Sequence, residues 1–105
     1  MTHRIIISEG AQQDFINIHR YLADEAGQDE ADATVERLAE RGGSLADFPD
    51  RGTLVDLPTD GVRVRSILVA PFRVFYEVTD ETVTIFAILH TRRDTAALLD
   101  ERRSR

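Results

Sequence analysis

Apolar and polar positions alternate most regularly between Val62 and Asp94, where three runs rich in valine, isoleucine and aromatics are separated by Ala70-Pro71 and by Thr79-Asp80-Glu81-Thr82. Runs of this composition with breakers between them predict a meander of three antiparallel strands. A two-residue turn at Asp80-Glu81 pairs Val78 with Val83, Tyr76 with Ile85, Val74 with Ala87 and Phe72 with Leu89. Alternation along each strand puts all eight on one face. The opposite face carries Arg73, Phe75 and Glu77 against Ile88, Phe86 and Thr84, with His90 next. The first face is apolar and must be covered; the second is mixed and leaves room for a partner. Val62–Val69 changes parity midway, since Val62 and Val64 share one side while Ile67 and Val69 share the other. A β-bulge near Arg65-Ser66 accounts for this, and so does a second half buried on both sides.

Upstream, the period lengthens. Arg4–Ser8 forms a short strand candidate, after which Ser8 or Glu9 caps a helix beginning near Gly10. Ala11, Phe15, Ile18 and Leu22 recur at helical spacing, Ile16 and Tyr21 widen the stripe, and Asp14, Asn17, Arg20 and Asp24 fill the other side. Gly27 ends this helix. A second starts at Gln28–Asp29, with acids in its first turn and Ala31, Val35, Leu38 and Leu45 along its apolar face; Gly42-Gly43 weakens its end. The short connection makes the two an antiparallel hairpin sized to cover the meander. Phe48–Gly61 holds two prolines and two glycines and reads as an irregular crossing anchored by Phe48, Leu54 and Leu57. A short helix over Thr95–Arg103, capped by Asp94 or Thr95, closes the chain with a charged end that frays. The expected fold class is α+β: an N-terminal strand, an antiparallel helical hairpin packed on a three-stranded antiparallel meander, and a short C-terminal helix. A length of 105 residues fits one domain, 1–105.

Composition narrows the chemistry. Cysteine is absent, which excludes disulfides and thiolate metal sites. The three consecutive isoleucines near the N-terminus fall far short of a signal core or membrane span, so a cytoplasmic location without membrane contact is expected. The net charge is −6, yet residues 1–60 hold 5 arginines against 13 acids and residues 61–105 hold 8 against 6. All basic residues are arginine, whose planar fork suits carboxylate and phosphate. An acidic whole disfavours non-specific binding to nucleic acid.

His90, at the end of the last strand on the face of Arg73, has two readings. It acts as a general acid or base beside arginines that hold a phosphate, or it is a strand-end histidine bonded to backbone or Asp94. Arg92-Arg93-Asp94 forms a recognition corner, a helix cap, or both. Arg63 and Arg65 point to one side unless the bulge intervenes, and either extend a basic strip with Arg73 or form a plain solvated edge. His3 and His19 have no neighbours at metal-ligand spacing, so no metal is expected, and no cofactor either. Tyr76 falls on the core face. Glycine-rich phosphate loops, nucleophile motifs and hydrolytic carboxylate pairs are all missing from the sequence.

Three motifs carry a resemblance. They are Ala11-x-x-Asp14-Phe15-x-x-Ile18-x-x-Tyr21-Leu22, then Pro71-Phe72-Arg73-Val74-Phe75-Tyr76-Glu77-Val78, and finally Val83-x-Ile85-x-x-Ile88-x-His90-x-x-Arg93-Asp94. The second is similar to a "YRIFYEV" strand and the third to a closing "V-x-I-x-x-V-x-H-x-x-R-D". In this order they resemble the ParE branch of the RelE/ParE toxin superfamily across nearly the whole chain. The resemblance implies the toxin of a type II toxin–antitoxin pair, associated with plasmid stabilisation and growth arrest. It implies a ParD-like antitoxin bound in a hetero-oligomer, DNA gyrase as target, and no sequence-specific DNA binding by the toxin itself. The RelE branch, which cuts messenger RNA on the ribosome, is the alternative. No lysine is present and no tyrosine follows Tyr76, so a cutting centre would rest on Arg63, Arg65, Arg73, His90 and Arg92, with His90 as the proton-transfer group. A protein inhibitor without chemistry of its own is therefore expected; the enzymatic alternative is an endoribonuclease using His90 and Arg73. Target or antitoxin contacts are expected at Arg63, Arg65, Arg73, His90, Arg92 and Arg93. The hairpin residues Phe15, Tyr21, Leu22 and Val35 are expected to face the antitoxin, with basic antitoxin groups on the acidic hairpin and acidic ones at Arg73 and Arg92-Arg93.

Overall fold

A computed structural model describes residues 2–55, 63–92 and 95–103, with the side chains of 95, 96, 100 and 103 outside the description. Strand β1 (Arg4–Ile7) leads into helix α1 (Glu9–Ala26), then α2 (Gln28–Gly43) and a short 3-10 turn, Ser44–Ala46. Strands β2 (Thr53–Leu54), β3 (Arg63–Val69), β4 (Phe72–Val78) and β5 (Thr82–His90) follow, and α3 (Thr95–Arg103) closes the chain. The sheet has five strands in the order β1-β5-β4-β3-β2, antiparallel except for β1, which runs parallel to β5.

Local chemistry sets the helix boundaries as expected. The Ser8 hydroxyl accepts the Ala11 N–H at 3.1 Å and so satisfies an otherwise unpaired donor of the first turn. Gly27, at φ 96°, occupies a backbone region that other residues rarely adopt and separates the two helices in one step. One face of the sheet packs on the hairpin, with Leu38, Leu45, Val74, Tyr76 and Val83 fully buried between them.

Three expectations are corrected. First, the pairing of β4 with β5 follows the predicted register only from the turn to Tyr76↔Ile85. A bulge then inserts Phe86, so that Phe75 pairs Ala87, Val74 pairs Ile88, Arg73 pairs Leu89 and Phe72 pairs His90. A one-residue shift reverses every side chain beyond it. Ile88 therefore joins the hairpin side, and Ala87 and Leu89 join the other. The β3–β4 pairing is regular, so no bulge lies at Arg65-Ser66, and half-exposed Leu68 shows that the second half is not buried on both sides either. The parity changes because Val64 is buried on the α3 side and Val69 on the hairpin side.

Second, the mixed face is not open. Val64, Phe75, Phe86, Ala87 and Leu89 form a second buried cluster with Leu99 of α3, joined by Leu98 and Val55. Third, Phe48 and Leu54 are 64% and 61% exposed and do not anchor the crossing. Tyr76 does this instead. Its hydroxyl donates to the Pro49 carbonyl at 2.8 Å and accepts the Gly52 N–H at 3.1 Å. Leu57, Val62 and the capping position Asp94 lie outside the described residues, as does the Thr95 side chain.

Candidate functional site

The bulge in β5 frees backbone groups on an edge that β1 no longer covers, because β1 pairs β5 only as far as Ile7↔Ile85. Asp14 and Arg102 take them. Asp14 Oδ2 accepts the Ile88 N–H at 2.9 Å, and Arg102 Nη1 donates to the Phe86 carbonyl at 2.9 Å. The two side chains then close a bidentate pair, Nη1 to Oδ2 at 2.9 Å and Nη2 to Oδ1 at 2.6 Å. The hydrogen bonds to Asp14 raise the Arg102 pKa, so the guanidinium holds its charge. Asp14 is only 8% exposed, which corrects its placement on the solvent side of α1, and Arg102 is docked rather than frayed. The spacing of Ala11, Asp14 and Ile18 held the signal, since these positions lie on one helical stripe.

The predicted site residues separate into groups. Arg63 and Arg65 do share a face, but both turn to the crossing: Arg63 Nη1 lies 3.3 Å and Arg65 Nε 3.4 Å from Asp50 Oδ1. Arg65 Nη1 also donates to the Gly52 and Asp50 carbonyls at 2.7 and 3.2 Å. Arg73 lies on the opposite face, because Arg65 pairs Tyr76 and Arg73 pairs Leu68. There its Nη1 donates to the Ser66 hydroxyl at 3.2 Å. The continuous basic strip is not formed.

His90 pairs Phe72, whose ring it meets edge-on at 5.6 Å, and its Nδ1 accepts the Arg92 N–H at 3.1 Å. The bulge thus sets His90 and Arg73 on opposite faces of the sheet, and the strand-end reading with a backbone partner is the observed one. Arg92 is exposed; Arg93 lies outside the described residues.

On the hairpin, Phe15 and Val35 line a groove of about 600 Å³ between α1 and α2, with half-exposed Ile16 beside them. His19, isolated in sequence, closes the groove through Asp32 (Nε2 to Oδ1, 2.7 Å), and Gln28 Nε2 donates to the same oxygen at 3.1 Å. Leu22 packs into the hairpin core. Tyr21, 63% exposed, lines a second cavity of about 650 Å³ between α1, the end of β5 and α3. Among the described residues no group of three side chains is arranged to hold a metal.

Besides Arg102, two further arginines escaped the sequence analysis. Arg41 at the end of α2 and Arg51 in the crossing converge with Arg73 on a pocket of about 260 Å³. Neither belongs to a motif; the end of α2 carries Arg41 there, and the folding of the crossing back onto β3 carries Arg51.

Residues 5–95 match the family described as "ParE toxin of type II toxin-antitoxin system, parDE". Among solved structures, the chain is similar to one described as the chromosomal ParDE TA system from P. aeruginosa. The TM-score is 0.70 at 19% identity, covering 85% of this chain and 96% of that one, a likeness of fold. No curated protein sequence gives a significant match.

Proposed function

We propose, from the premise that this chain belongs to the ParE toxin family of type II toxin–antitoxin systems, that it inhibits DNA gyrase and is neutralised by a ParD-like antitoxin in a hetero-oligomer. The family match over residues 5–95 carries this reading. The separation of His90 from Arg73 supports inhibition by binding over RNA cleavage, since a general acid must share one side with the cation that holds the phosphate. Among the described residues, no helix is long and apolar enough to cross a membrane, consistent with action in the cytoplasm. The groove between α1 and α2, with Phe15, Ile16 and Val35, offers an amphipathic antitoxin helix an apolar seat, and the antitoxin segment folds as it docks.

Purified protein added to gyrase and relaxed plasmid is expected to block supercoiling, and added antitoxin to restore it. Unchanged supercoiling at saturating protein overturns the gyrase reading.

A further inference from the structure

We infer that Arg41, Arg51 and Arg73 form a carboxylate-binding pocket at the free edge of β3, which takes an extended partner segment carrying an acidic side chain flanked by apolar ones. Strand β2 pairs β3 only at Thr53↔Ser66 and Leu54↔Arg65, so Ile67–Val69 has no strand on its outer side among the described residues. The pocket of about 260 Å³ lies there, lined by the three arginines with Thr53, Ser66 and Leu68 among its other walls.

Charge compensation separates these arginines from Arg63, Arg65 and Arg102. Arg63 and Arg65 lie against Asp50, and Arg102 against Asp14. Around this pocket no described lining residue is acidic. Arg73 is oriented by the neutral Ser66 hydroxyl, and Arg51 Nη1 donates to the Ser44 hydroxyl at 2.8 Å. Ser44 in turn donates to the Arg41 carbonyl at 2.7 Å. The Arg41 side chain has no hydrogen-bond or ionic partner among the described residues. Three like charges thus converge with their positions partly fixed by uncharged donors and acceptors. Such an arrangement repels itself until an anion enters, and a carboxylate's two oxygens match the guanidinium fork.

The surroundings select the partner. The chain as a whole carries −6, which repels a long polyanion but leaves a single carboxylate to short-range contacts. Leu68, half exposed in the wall of the pocket, offers an apolar contact beside the charge. An unpaired strand edge receives an extended peptide through main-chain hydrogen bonds. The geometry is independent of the proposed activity; that the segment is the tail of the antitoxin rests on the proposed function.

The test titrates the full chain with a capped peptide in which one glutamate is flanked by valines, following arginine side-chain NH signals by NMR. Signals of Arg41, Arg51 and Arg73 are expected to shift, and the glutamine counterpart to bind about tenfold more weakly. Arg41→Gln and Arg51→Gln are each expected to weaken binding by a similar factor, while Arg4→Gln leaves it unchanged. Equal binding of the two peptides, or tighter binding of single-stranded oligouridylate at these arginines, overturns the inference. Loss of supercoiling inhibition and of antitoxin binding, with glutamate-peptide binding intact, would instead remove the functional reading and leave the pocket standing.

Discussion

At the scale of single residues, Asp14 has the largest structural consequence for its size. Its carboxylate satisfies the Ile88 N–H, freed where β1 ends, and holds Arg102 in a geometry that ties α3 to α1 and β5. Asp14→Ala leaves the Ile88 N–H and a docked guanidinium without their acceptor. Removing one member of a buried pair costs about 3–5 kcal/mol, and the partial exposure of Arg102 lowers the expectation to about 2–3 kcal/mol. Urea denaturation of the variant checks this. Tyr76 sets a pH limit. Burial raises its pKa above 10.0, against the opposing effects of the Gly52 N–H and the Arg65 charge. A raised folded-state pKa means that the folded protein keeps the proton longer, so the contribution is complete below the unfolded value. It declines as pH rises above about 10 and through the folded value. Tyr76→Phe is expected to cost about 1–2 kcal/mol at neutral pH, through the lost contacts to Pro49 and Gly52, and to flatten the alkaline decline. Denaturation curves across the alkaline range measure both effects.

At the scale of elements, strand pairing was legible only as far as periodicity runs uninterrupted. The turn at Asp80-Glu81 and the pairs Val78–Val83 and Tyr76–Ile85 follow from alternation and turn chemistry. Beyond them the Phe86 bulge leaves no mark in composition, because Ile85, Phe86, Ala87, Ile88 and Leu89 are all apolar and either parity buries something. Unbroken alternation therefore puts His90 on the face of Arg73, and only the bulge moves it to the other. The spacing around Asp14, by contrast, was legible as a helical stripe, but a carboxylate there reads as solvent-facing until its partners from β5 and α3 are known. The pairing of β2 with β3 depends on close approach. A Cβ added at Gly52 would lie 2.5 Å from the Tyr76 hydroxyl and 2.6 Å from the Ser66 carbonyl oxygen, a backbone atom that cannot swing aside. Gly52→Ala is expected to separate β2 from β3 at a cost of about 1–3 kcal/mol. Faster amide exchange at Val55, whose N–H donates to the Val64 carbonyl at 2.9 Å, reports the separation.

At the scale of the whole molecule, the sheet is a two-sided core rather than a platform. The hairpin buries one face and α3, through Leu99, buries the centre of the other, so the surface left for partners lies along edges and grooves. Strands β3, β4 and β5 supply the inner layer. An apolar groove runs between the two helices of the acidic hairpin, and a cationic pocket sits at the edge of β3, where Arg41 of α2 and Arg51 of the crossing meet Arg73 of β4. Sequence alone determined the identity and order of the helices and main strands, the helix start at Ser8 or Glu9, the break at Gly27 and the family, because each rests on local periodicity, turn chemistry or a motif of contiguous residues. Only the tertiary structure decided the side on which the end of β5 presents its residues, the pairing of Asp14 with Arg102, and the convergence of Arg41, Arg51 and Arg73. Each of these depends on how one element is placed against another far along the chain, and on where a strand edge runs out of partners, which no local pattern encodes.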